Sequence, residues 1–205
     1  MLLEQGRRYS YQGRLATDFT HMDRTTVAKS IRDAFQGVER DEECTLHQAE
    51  LPDHIGDRDI AESDWQEAKN KDQQTDWRDV PAGFLDECEA ALSHASVRCW
   101  RFYLPAYMSR ALQLLDVSIW KTCLPGSVIF HLTFGGERDS LAARRFERYE
   151  ALSFQQKNAV RSFLEYVRNY PTEVKSYRDD AETALRNYWA LDERDRLQGP
   201  NLTGS

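Results

Sequence analysis

Val97-Arg98-Cys99-Trp100-Arg101-Phe102-Tyr103-Leu104-Pro105-Ala106-Tyr107-Met108 is the most apolar and aromatic run in the chain. Trp100, Phe102, Tyr103, Leu104, Tyr107 and Met108 are too dense for a surface element, so the run marks the packing centre. Pro105 has no backbone N–H and disfavours the α region at the residue before it. The run is therefore expected to break or kink there, with a helix resuming over 106–115. Arg101 is the polar exception, and a buried guanidinium must be paired, stacked or turned to solvent. Two roles fit it. One is an ion pair with Asp76 or Asp79 that ties the preceding connector to the core. The other is recognition of an acidic ligand, framed by Tyr103 and Tyr107. Arg101, Tyr103, Tyr107, Asp76 and Asp79 are the candidate ligand- or partner-binding residues.

Outward from this run, apolar residues recur at helical spacing. Val27, Ile31, Ala34 and Phe35 predict a helix over 25–36, capped by Thr25 or Thr26 and stopped at Gly37. Thr45 and Gln48 have the spacing of a capping box and predict a short helix ending near Pro52. Ile60, Ala61, Trp65 and Ala68 predict a helix over 59–72. Pro81 suits the first position of the next helix, which carries Phe84, Leu85, Cys88, Ala91 and Leu92 to about Ser93. A short helix is expected over 117–123. Residues 127–134 have strand propensity in Val128-Ile129-Phe130 but no convincing partner strand, so a helix capped by Ser127 is preferred. Helices follow over 140–151, from a second capping box at Ser153 and Gln156 to Pro171, and from Val174 to Trp189. The expected fold is all-α or mainly α: an irregular bundle of six to eight helices forming a single domain over 22–196. Residues 1–21 read as a flexible leader and 197–205 as a disordered tail. Met22 is an alternative start.

The chain has 205 residues, a net charge of −7 and a pI near 5.3. This balance disfavours a nucleic-acid partner, whose non-specific affinity comes from phosphate neutralisation by Lys and Arg. Arg144, Arg145 and Arg148 cluster, but Glu147 and Glu150 interrupt them, which reads as an exposed helix face with internal ion pairs. Cys44, Cys88, Cys99 and Cys123 form no C-x-x-C pair and sit among apolar neighbours, so buried free thiols in a reducing compartment are expected. No apolar stretch approaches bilayer length, and Arg7, Arg8 and Arg14 are not followed by the apolar core of a secretory signal. The expected location is the cytoplasm.

Asp76-Trp77 with Val80-Pro81, the box Arg101 to Met108, the Leu152 to Leu164 helix, and Ala184-Leu185 with Tyr188-Trp189 form a recognisable series. On these residues the chain resembles a bacterial family catalogued as a domain of unknown function (family 6714). The resemblance spans about Asp23 to Trp189. It implies a bacterial intracellular protein and carries over no catalytic residue. In the approach to the box, Ala95 to Trp100 are bulkier than is usual for that family.

Chemistry has two candidate locations. His47, Asp53, His54 and Asp57, with Asp59, carry ligand types suited to a divalent metal. The seven-residue separation of the histidines is not the i, i+4 spacing that puts two ligands on one helix face, and the aspartates suit turn chemistry equally. A Cys99 or Cys88 nucleophile beside His94 or His131 lacks any activating motif. The reading preferred from sequence is a non-catalytic protein-binding module without a cofactor. One form is an immunity or antitoxin-like protein whose acidity neutralises a basic toxin. The alternative is a small metal-dependent hydrolase or ligand-binding enzyme using the 47–59 turn.

Overall fold

A computed structural model describes residues 22–55, 59–134 and 141–191. The leader, the tail and Asp57 lie outside the described residues. Among those described, ten α-helices and no strand are found, and the fold is a mainly α single-domain bundle. The helices are α1 (Arg24–Ala34), α2 (Leu46–Ile55), α3 (Glu62–Lys71), α4 (Ala82–Glu87), α5 (Ala91–His94), α6 (Val97–Leu114), α7 (Leu124–Leu132), α8 (Ala142–Glu150), α9 (Phe154–Asn169) and α10 (Lys175–Ala184). A 3-10 turn spans Trp77–Asp79, and a π-helical turn, Leu185–Trp189, extends α10.

The aromatic run is the centre of the bundle, but Pro105 does not break it. Helix α6 is continuous for 18 residues with Pro105 inside it. A proline in a helix interior costs about 3 kcal/mol. Burial outweighs that cost: twelve residues of α6 are buried, including Trp100, Phe102, Leu104 and Met108. At roughly 1.5–3 kcal/mol per fully buried large side chain, a handful of them suffices. Only a narrow polar stripe of α6, with Arg98, Arg101, Ser109, Arg110 and Gln113, reaches the surface. Helices α1, α4, α5, α7 and α8 pack against it, while α9 joins α1 to α10 and α2 packs on α3 and α5.

Several expected ends move for identifiable reasons. Asp23, not a threonine, caps α1 by accepting the Thr26 N–H at 2.7 Å. Gly37 adopts a φ of 73° just past α1, a conformation that L side chains rarely take. Helix α2 runs on through Pro52 to Ile55. The helix expected from Pro81 to about Ser93 splits into α4, for which Pro81 is the N-cap, and α5, and the buried Tyr107 hydroxyl bonds to the Cys88 carbonyl at the break. Residues 117–123 form turns instead of a helix. Helix α7 begins at Leu124 with Pro125 in its first turn, so Ser127 lies inside it and does not cap it. The carbonyls at its C-terminus and just beyond are taken by side chains: His131 by Tyr149 (2.8 Å), Leu132 by Trp189 (2.6 Å) and Phe134 by Asn187 (2.8 Å). Both capping boxes form, at Thr45/Gln48 and Ser153/Gln156.

The arginine cluster on α8 is a correction. Arg145 and Arg148 are only 5% and 3% exposed. Arg148 donates to the carbonyls of Ala95 and Ser93, and Arg144 to those of His94 (3.0 Å) and Ala95 (3.2 Å). These guanidinium groups close the C-terminal end of α5, where free carbonyls need donors and a positive charge opposes the helix dipole. The Arg148 guanidinium also lies 5.8 Å from the Trp100 ring centroid, and that of Arg145 lies 4.5 Å from Phe130. Among the described residues, no helix is long and apolar enough to cross a membrane.

Candidate functional site

Helices α2, α4, α5 and α7 leave a hollow of about 400 Å³ between them. Five carboxylates line it: Glu50 and Asp53 from α2, Asp86 and Glu87 from α4, and Glu89 from the turn before α5. Phe130 and Cys123 form part of the opposite wall. The acids are not equivalent. Asp86 is neutralised by Arg110 through bonds of 2.9 and 2.6 Å. Glu89 accepts from the Thr122 hydroxyl at 2.7 Å and the Cys123 thiol at 2.6 Å. Burial first, and then Glu89, push the Cys123 thiol up to about 11, so it stays protonated at neutral pH.

Glu50 is the unusual member. It follows Leu46 by one helical turn, which puts it on the buried face of α2, and it is only 6% exposed. One carboxylate oxygen, Oε1, lies 3.7 Å from His54 Nε2. The other, Oε2, is buried with no hydrogen-bond partner. Burial holds the Glu50 carboxyl above its ordinary range and the Asp53 charge adds to this, while His54 and the N–H groups of Ala90 and Ala91 oppose it. A buried carboxylate oxygen without a donor is costly.

A serine–histidine pair also reaches this hollow. Ser93 Oγ is 3.3 Å from His131 Nε2. Burial, with the charges of Arg148, Arg145 and Arg144, pushes the imidazole down to about 3. Such a ring is neutral but a very weak base, far from the value near 7 that general-base work needs.

The residues singled out from sequence are dispersed. Arg101 Nε donates to Gln156 Oε1 at 3.1 Å, and the same oxygen accepts the Ser153 N–H. It thus ties α6 to the N-terminus of α9, and among the described residues no ion pair joins it to Asp76 or Asp79. Asp76 caps the 3-10 turn and pairs with Arg78. Tyr103 and Tyr107 are 2% and 1% exposed, inside the core. His47 Nδ1 meets the buried Asp72 at 3.0 Å and its ring stands edge-on to Phe84, whereas His54 faces Glu50. Asp53 shares the hollow with Glu50. Among the described residues, no group of three or more His, Cys, Asp or Glu side chains is placed to hold a metal ion. Among the described residues no hydrogen bond joins Cys88 or Cys99 to a histidine, and Cys99 lies against Cys44. Nor are all thiols buried, since Cys123 is exposed and Cys44 partly so.

Residues 23–193 match the model of a family described only as a family of unknown function, DUF6714. No curated protein matches the chain. No solved structure matches it either.

Proposed function

The chain belongs to DUF6714, a family of unknown function, and we propose that it acts by binding a partner protein through the acidic hollow, which receives a lysine or arginine side chain. The observation that carries this reading is Glu50 Oε2, buried and unbonded in a hollow lined by four further carboxylates. An incoming ammonium or guanidinium supplies the missing donor as a charge-assisted bond, roughly twice as strong as a neutral one. Phe130, 54% exposed on the opposite wall, offers an apolar surface to the aliphatic stem of such a side chain. The net charge of −7 steers basic partners towards the molecule. An immunity or antitoxin-like pairing with a basic toxin in the cytoplasm is the version in which all of that charge contributes.

Arginine amide and its uncharged isostere citrulline amide test this directly. In amide-resolved NMR titrations of the full chain, arginine amide is expected to give saturable shifts in α2 and around Ala90 and Ala91. Those shifts weaken as salt rises and vanish in Glu50→Gln. Equal responses to citrulline amide, or shifts confined to other surfaces, would sink the reading.

A further inference from the structure

Cys44 and Cys99 are 55 residues apart in sequence but adjacent in space. Cys99 Sγ lies 3.2 Å from the Cys44 carbonyl oxygen, and both sulfurs reach the same Thr45 carbonyl, each at 3.9 Å. Cys44 is partly exposed just before α2; Cys99 is fully buried in the first turn of α6. Ser96, the N-cap of α6, helps to hold the Cys44 thiol down. The N-terminus of an 18-residue helix presents partial positive charge to a thiolate there. Ser96 is itself fixed, accepting the Cys99 N–H at 3.1 Å and donating to Asp41 at 2.8 Å.

We propose that Cys44 and Cys99 form a peroxide-responsive pair, in which Cys44 is the attacking thiol and Cys99 the resolving one. The environment divides these roles. The bond from Cys99 brings the Cys44 thiol down to about 7, against burial and the nearby Asp41 charge. The same contact, with burial and the charges of Asp41 and Asp72, pushes Cys99 well up. The first sulfur is a nucleophile at neutral pH and the second keeps its proton until it is needed. In the first step the Cys44 thiolate attacks one oxygen of a hydroperoxide and the O–O bond breaks. An alcohol, or water from hydrogen peroxide, leaves with a proton, and Cys44 becomes a sulfenic acid. In the second step the Cys99 sulfur attacks the Cys44 sulfur, the S–O bond breaks and water departs with the Cys99 proton. Two thiols and one hydroperoxide thus give one disulfide, one alcohol or water, and one further water.

The test uses the full chain and limiting hydrogen peroxide at pH 7.5, followed by alkylation, trypsin and mass spectrometry. Cys44 is expected to be oxidised about 40-fold faster than Cys123. This figure sets the larger thiolate fraction of a thiol at about 7 against the greater intrinsic nucleophilicity of one at about 11. The product is expected to link the peptide bearing Cys44 to Cys99-Trp100-Arg101. A Cys99→Ser variant, provided its circular dichroism is unchanged, should instead trap a dimedone adduct on Cys44. The wild-type mapping decides the matter even if that variant fails to fold. Oxidation of Cys123 first, or a Cys44 sulfenic acid that accumulates in the wild type without joining Cys99, overturns the proposal.

Discussion

At its C-terminal end, α5 gives the carbonyls of Ser93, His94 and Ala95 to the guanidinium groups of Arg144 and Arg148. At its N-terminal end it faces Glu50, whose Oε2 is buried without a hydrogen-bond partner. A helix of four residues has free backbone groups at both ends and almost no internal stability. The arginines therefore have a structural task that occupies them within the fold. The carboxylate is only partly occupied and opens on a hollow. Buried charge is common to both ends, and each keeps an unbonded atom, Arg148 Nε at one and Glu50 Oε2 at the other; what sets Glu50 apart is the hollow beside it, on which the proposed binding rests.

Removing the occupied charge should have the largest effect. Arg148→Met leaves the Ser93 carbonyl without its donor, leaves the Ala95 carbonyl with Arg144 alone, and deletes the contact with Trp100. An unsatisfied buried acceptor costs about 1–3 kcal/mol and a lost bond to a charged group about 1.5–3 kcal/mol, so a loss of about 3–4 kcal/mol is expected in urea denaturation. For a chain of this size that is a fall in Tm of about 10 °C. A loss below about 1 kcal/mol would show that water finishes this end of α5 and would remove the contrast.

Acid should break the same end by another route. His131 is held down to about 3 by burial and by the arginine charges beside it. The folded state therefore binds fewer protons than the unfolded state below pH 6.5, the ordinary value for the ring. Stability from this group is full above that pH and declines as pH falls towards 3, by up to about 3 kcal/mol at pH 4.5. NMR should find His131 neutral throughout the range from pH 5 to 8. In Arg148→Met its midpoint should move up, because one of the opposing charges is gone.

Neither end of α5 was legible in the sequence, although much else was. The Ser153/Gln156 box and the stripe Val160, Phe163, Leu164 and Val167 specify α9 by local chemistry, and the helix ends at Asn169, just before Pro171 as expected. Pro105 was misleading because its penalty is local while the burial that overrides it involves helices distant in sequence. The α8 arginines alternate with glutamates as an exposed face does, and only the tertiary position of α5 draws them inward. Glu50 left a usable trace: it lies one turn after Leu46 and next to Ala49, on the apolar face of α2. His47 and His54 drew notice instead, and their different partners, Asp72 and Glu50, are set by packing and not by spacing.

Arg144→Ala sharpens the comparison at smaller scale. Arg144 bonds to carbonyls of the same α5 end, but its side chain is exposed and water can replace it. A loss of about 1 kcal/mol is expected, clearly less than for Arg148→Met. Equal losses would mean that the two arginines act as one unit.

Glu50→Gln should have the least effect on stability and the most on binding. Its folded-state carboxyl is raised, so the fold disfavours the charged form. Stability therefore falls as pH rises through and above 4.5, the ordinary value for the group, opposite in sign to His131. The amide abolishes that dependence and keeps the shape of the side chain, so Tm at pH 7 should be unchanged or higher. The response to arginine amide should disappear in the same protein. If Tm instead drops by several degrees, Glu50 holds the N–H groups of Ala90 and Ala91 as firmly as Arg148 holds the carbonyls. The carboxylate would then be fully occupied by the fold, and the hollow would have no unused charge to offer a partner.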